Sequence, residues 1–198
     1  YNGTTSFSAS NLTVTGVNSE VLTITGSGTL GSSGNVQTSQ NLSSVAGLTL
    51  GGGTADNYNL STGQSTVSVT PAPLAIYLTG TYNGTTSYTN SNATIRLAGL
   101  VTADAAGSVT GVTINNQNVA SANYISAITG VSGFTLANYA INTGTNSTLS
   151  GSNPVVGATN LLSTNLVSLS KANASLTGSQ IYNGTTSFSA SNLTVTGV

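Results

Sequence analysis

Cysteine, histidine, methionine and tryptophan are absent from the 198-residue chain, and only five side chains carry a formal charge: Glu20, Asp56, Asp104, Arg96 and Lys171. Each absence excludes a class of chemistry. Without Cys or His there is no thiol nucleophile, no zinc site of the His/Cys type and no Ser-His-Asp triad. Three scattered carboxylates fall short of the roughly six to eight oxygens that calcium takes. At a net charge of −1 the chain lacks the basic footprint of a nucleic-acid binder. No apolar run approaches the length of a membrane helix; the most apolar short stretch is Leu74-Ala75-Ile76-Tyr77-Leu78. Without disulfides, stability outside the cell would rest on core packing. Neither an initiator Met nor a signal peptide is evident, so the chain reads as an internal window of a longer one. The expectation is a non-enzyme without cofactor or metal, with no nucleic-acid partner and no membrane insertion in this segment.

What is present points to ordered β-structure. Ser, Thr, Asn and Gly fill 111 positions. Hydrophobic residues make up 37% and charged residues 3%, the reverse of a disordered composition. Val, Ile, Leu, Phe and Tyr recur every second or third residue with Thr between them, which suits a pleated, half-buried surface. Strands are predicted at Leu12-Thr13-Val14-Thr15, Val21-Leu22-Thr23-Ile24-Thr25, Leu48-Thr49-Leu50 and Thr66-Val67-Ser68-Val69-Thr70. Further strands are expected at 109–114, 125–128 and Phe134-Thr135-Leu136. Gly26-Ser27-Gly28, residues 31–34 and Gly51-Gly52-Gly53 read as breaks between strands. Residues 161–169 place Leu161, Leu162, Leu166 and Leu169 nearly on one helical face, but Ser, Thr and Asn at the other positions favour strand or loop.

Self-comparison gives the strongest signal. Tyr1-Asn2-Gly3-Thr4-Thr5-Ser6 recurs from Tyr82 and from Tyr182, and the last 17 residues are identical to the first 17. Asn57-Tyr58 and Asn138-Tyr139 each place their tyrosine 57 residues after the tyrosine of the repeat start. The predicted units are therefore 1–81, 82–181 with an insertion containing Asn153-Pro154, and 182–198 as the start of a further copy of the first. Thr70-Pro71-Ala72-Pro73 reads as a stiff hinge at the end of the first unit. The spacing favours tandem Ig-like two-layer β-sandwich modules forming an elongated fibre. A β-solenoid, the runner-up, calls for self-similarity at about 20–30 residues, which is missing.

The start motif has a physical reading as a structural turn formed by Tyr1, Asn2, Gly3, then Tyr82, Asn83, Gly84, then Tyr182, Asn183, Gly184. Asn and Gly tolerate positive φ, and the tyrosine can plug a neighbouring core. Tyr58 and Tyr139 resemble a tyrosine corner, in which the hydroxyl bonds upstream backbone; Leu136-Ala137 replaces the acid in the second copy, which favours packing over calcium binding. Glu20 and Asp56 share a unit, but nothing suggests a hydrolase cleft. Lys171 reads as a solvated lysine, not as an isopeptide donor, because its unit has only Asp104 as an acid. Sequons at Asn2, Asn11, Asn41, Asn59, Asn83, Asn92, Asn146, Asn173, Asn183 and Asn192 are the yield of an Asn-, Ser- and Thr-rich composition and also candidate glycosylation sites.

Tyr-Asn-Gly-Thr-Thr at each unit start resembles the Tyr-Asp-Gly signature of YDG repeats, which accompany MBG-type repeats in filamentous-haemagglutinin-like bacterial surface adhesins. Glu20-Val21-Leu22-Thr23-Ile24-Thr25-Gly26, Ala55-Asp56-Asn57-Tyr58-Asn59-Leu60 and Val69-Thr70-Pro71-Ala72-Pro73-Leu74 are similar to the same family. Asn2, Asn83 and Asn183 stand where that pattern has Asp. The resemblance implies a structural segment of a secreted or cell-surface fibre without a catalytic site, and makes modification of the sequons an expectation. Partners expected are neighbouring copies of itself, with surface glycans bound through exposed Tyr and Asn as the alternative function. Sparse charge leaves strand edges unguarded, so self-association indifferent to salt is predicted. Residues 182–198 cannot bury Phe188, Leu193 and Val195 alone, and are expected to be completed by a sequence equivalent to 18–81.

Overall fold

The structure is a computed structural model that describes residues 1–31, 33–141 and 165–197. Among these the chain is all-β, with short 3-10 turns and no α-helix. In chain order the first strands are β1 (Ser6–Ser8), β2 (Thr23–Leu30), β3 (Gln37–Ser44), β4 (Leu48–Gly51) and β5 (Thr66–Val69). They form one sheet in the order β1-β2-β3-β5, with β4 also on β2. Leu30, Leu42, Leu48, Val67 and Val69 make its core. β2 runs straight through Gly26-Ser27-Gly28, which the sequence marks as a break. Gly26 takes φ +88°, and a side chain there would collide with the Gly47 carbonyl, so glycine serves close strand approach at this point.

The remaining strands are β6 (Ala72–Pro73), β7 (Ala75–Thr81), β8 (Ser87–Thr89), β9 (Ala93–Ala98), β10 (Ser108–Ile114), β11 (Ile125–Ser132), β12 (Tyr139–Ala140), β13 (Asn165–Ser170), β14 (Ser175–Gly178) and β15 (Leu193–Thr196). A three-stranded sheet β13-β7-β9 packs against a three-stranded sheet β11-β10-β8. The contact is made by Ile76 and Leu78 from β7 with Tyr88, Val109, Val112, Ile114 and Ile125. β7 is antiparallel to β9 and parallel to β13. Ala75, Ile76, Tyr77 and Leu78 are all buried, so the most apolar stretch in the chain is a central strand covered on both faces.

Two sequence expectations shift as a result. The repeat units 1–81 and 82–181 and the packed bodies are out of phase: β7 lies before Tyr82, yet it is the middle strand of the second body. Pro71-Ala72-Pro73 is no free hinge either. Ala72–Pro73 lies parallel to Tyr139–Ala140, the Leu74 N–H donates to the Ala140 carbonyl at 3.0 Å, and Leu74 is fully buried. Two predicted strands are also absent as such. Residues 12–15 join no ladder, and Phe134-Thr135-Leu136 is an approach to a 3-10 turn, with Phe134 packed edge-on against Tyr139. Leu166 and Leu169 lie in β13, whereas Leu161, Leu162 and Asn153-Pro154 lie outside the described residues.

Candidate functional site

The three copies of the start motif share one local geometry. Gly3, Gly84 and Gly184 take φ of +76°, +76° and +75°. The side-chain oxygen of Asn2 accepts from the Thr4 N–H at 3.0 Å and the Thr4 hydroxyl at 3.1 Å. Asn83 holds Thr85 at 2.9 and 3.1 Å, and Asn183 holds Thr185 at 3.0 and 2.9 Å. Each is an Asx turn, an acceptor task that an aspartate oxygen performs equally. The Asn that replaces Asp in the signature therefore keeps the turn. In the second copy the turn does not close a hairpin: it carries the chain from β7 in one sheet to β8 in the other.

The tyrosine of the motif has a different environment in each copy. Tyr1 packs its ring edge-on against Tyr139 at 5.5 Å and joins a small cluster with Ala72, Leu74, Leu97, Leu100 and Val101. Tyr82 is half-buried, and Tyr182 is 91% exposed. Tyr1 fills the joint between the two bodies.

Tyr58 and Tyr139 occupy equivalent corners. The Val17 N–H donates to the Tyr58 hydroxyl at 2.7 Å, and that hydroxyl donates to the Glu20 carboxylate. The Val101 N–H donates to the Tyr139 hydroxyl at 3.2 Å, which donates to Asp104 at 2.7 Å. Val17-Asn18-Ser19-Glu20 and Val101-Thr102-Ala103-Asp104 are thus one repeated Val-x-x-acid element. From sequence Glu20 pairs only with Asp56 as a hydrolase candidate and Asp104 stands as the lone acid of its unit, so this role goes unread; the matching motif upstream of each Asn-Tyr is the available signal. Asp104 has a second duty, accepting the Tyr1 hydroxyl at 3.0 Å from the other body. Burial, then the hydrogen bond to Asp104, pushes the Tyr139 hydroxyl up to about 12. The same two causes raise Tyr1, whereas Tyr58 is raised chiefly by its bond to Glu20.

Asn138 completes the joint. It is buried, its side-chain N–H donates to the Asn35 side chain at 2.9 Å, and its oxygen accepts the Val36 N–H at 2.9 Å. Among the described residues no three acidic groups cluster to hold a metal, and no helix is long and apolar enough to cross a membrane. Asn2, Asn11, Asn41, Asn59, Asn83, Asn92, Asn173, Asn183 and Asn192 are all exposed, and Asn146 lies outside the described residues. Lys171 is exposed near the end of β13.

The arrangement can hold β-bodies together. Residues 1–67, about a third of the chain, match the YDG domain family. That span holds the first Asx turn and the whole Tyr58 corner, and the match ties the chain to no class of adhesin. Neither the curated proteins nor the solved structures contain a match to it.

Proposed function

We propose that the chain is a structural repeat segment of a secreted or cell-surface adhesin, in which Ig-like two-layer modules follow one another in an extracellular fibre or stalk serving adhesion or biofilm matrix. The observation that carries this reading is the joint. Ala75–Thr81, the end of the first repeat unit, form the central strand of the second body, while Tyr1, Asn35 and Val36 reach across to Asp104, Tyr139 and Asn138. A chain that builds each body partly from the end of the preceding repeat resists separation of its units. The absence of Cys and His, and a YDG match confined to such a body, agree with a structural role and not a catalytic one. Immunogold labelling of intact source cells with antibodies against the chain is expected to decorate external fibres. Label found only after cells are opened would overturn the reading.

A glycan-binding module is the second reading, favoured by a cleft of about 340 Å³ where Tyr1, Asn2 and Asn11 meet β5. Against it, Tyr1 already spends its ring on Tyr139 and its hydroxyl on Asp104. A glycan array should therefore be blank. Saturable binding lost on Asn11→Ala, an exposed residue of that cleft, with folding intact, would reverse the ranking.

A further inference from the structure

A body set in a row of bodies is pulled through the strands by which the chain enters and leaves it. In the second body those are β7 and β13, and they lie side by side. Six residues of each pair in parallel register, from Ile76 with Asn165 to Thr81 with Ser170. The chain therefore enters at one end of the ladder, before Ala75, and leaves at the opposite end, after Ser170. These ends are about 20 Å apart along the strands, at ~3.3 Å per residue, so tension between them slides β7 and β13 past each other. In sliding, the bonds of a ladder share the load and fail together. In peeling, each carries the whole load in its turn.

We infer that the second body is a load-bearing module whose mechanical strength resides in the β7–β13 ladder, a shear clamp built from its entry and exit strands. Both strands are anchored against the slide. β7 is the middle strand of its sheet, held on its other side by β9, with Ile76 and Leu78 sunk in the core. β13 is pinned to the opposite sheet at its first residue. There the Ile125 N–H donates to the Asn165 side-chain oxygen at 2.8 Å, and the Asn165 amide donates to the Ile125 carbonyl at 2.7 Å. Asn165 is fully buried, so water does not compete for these bonds. At the far end the Tyr82 N–H donates to the Ser170 carbonyl at 2.9 Å, and the Thr81 and Ser170 hydroxyls share a hydrogen bond at 3.0 Å. A second parallel pairing, Ala72–Pro73 on Tyr139–Ala140, guards the entry in the same sense. Load crosses from β7 to β13 directly, and the chain from β8 to β12 bears none until the ladder fails. The clamp rests on the fibre reading only for the source of the tension. Surface labelling tests that source, and pulling tests the clamp.

The chain has no cysteine, so introduced pairs fix the direction of pull. In the full chain, Thr70→Cys with Lys171→Cys loads the ladder end to end. Thr81→Cys with Lys171→Cys puts both points at one end of the ladder and opens it from there. All three sites are exposed, so both variants fold as the parent does and keep its urea midpoint. Each is coupled through its reduced thiols to DNA handles and stretched at one speed in optical tweezers. The first pair is expected to unfold at a force several-fold higher than the second, because forced unfolding follows the barrier along the pull and not the equilibrium stability. The high-force event should lengthen the chain by about 330 Å, the extended length of roughly 100 residues less the ~20 Å already spanned. Equal forces in the two directions would overturn the clamp. So would a high-force event of much smaller extension, which would place the resistance outside the ladder.

Discussion

Asp104 accepts two tyrosine hydroxyls on one carboxylate oxygen, one from each body, and is therefore the residue whose loss is felt on both sides of the joint. Asp104→Ala strands both hydroxyls at a half-buried site and is expected to cost about 1–3 kcal/mol in urea unfolding. Glu20→Ala, at an exposed corner with one tyrosine, should cost about 1 kcal/mol or less. The raised Tyr139 hydroxyl fixes a pH dependence. Its unfolded form ionises near the ordinary tyrosine value of 10, while the folded form keeps its proton to about 12. Between those values the unfolded state binds fewer protons, so stability falls as pH rises through the window, by on the order of 2 kcal/mol, and is fully present below it. Thermal melts should show this alkaline loss, and Tyr139→Phe should remove most of it while lowering stability at neutral pH.

At the scale of the element, β7 and β14 carry the same Leu-Thr-Gly on opposite sides of burial. Leu78→Ala is expected to cost about 2–5 kcal/mol, since it empties the centre of the second core. Leu176→Ala should change the stability of the isolated chain by about 0.5 kcal/mol or less. Both are read from denaturant midpoints. Alternating hydrophobicity made β2, β4, β5, β10 and β11 legible in the sequence, because one face of each meets a core. It did not reveal β3, where Leu42 is the single aliphatic side chain in Gln37–Ser44 and the strand is fixed by backbone pairing to β2 and β5. Nor could it place residues 12–15, whose alternation matches β9: a strand needs a partner, and pattern does not say whether one is in reach. The Tyr58 and Tyr139 pair was legible as a repeated spacing, but the acids that hold their hydroxyls were read as lone charges. The limits of the bodies were misplaced for a related reason. Tyr-Asn-Gly is the most visible landmark, and it marks a turn inside a body, one strand after the body begins.

Over the whole molecule the sparse charge matters most. Exposed β-edges lack the lysines that commonly block strand addition, and Ser, Thr and Asn offer hydrogen bonds that salt barely screens. Self-association should therefore be equal in low and high salt by light scattering; a monomer under both conditions at high concentration would contradict this. The offset between repeat and body also has a genetic consequence. If copies are gained or lost by recombination at the Tyr-Asn-Gly landmark, each event joins the last strand of one cassette to the turn of another. A body then survives only if any cassette's final strand can serve as the first strand of any successor. Leu78-Thr79-Gly80 and Leu176-Thr177-Gly178 meet that demand, setting the same residues opposite Ala93 to Ile95 and opposite Leu193 to Val195 although the flanking sequences differ. An array of this design can change its length in a single step without passing through a version that does not fold.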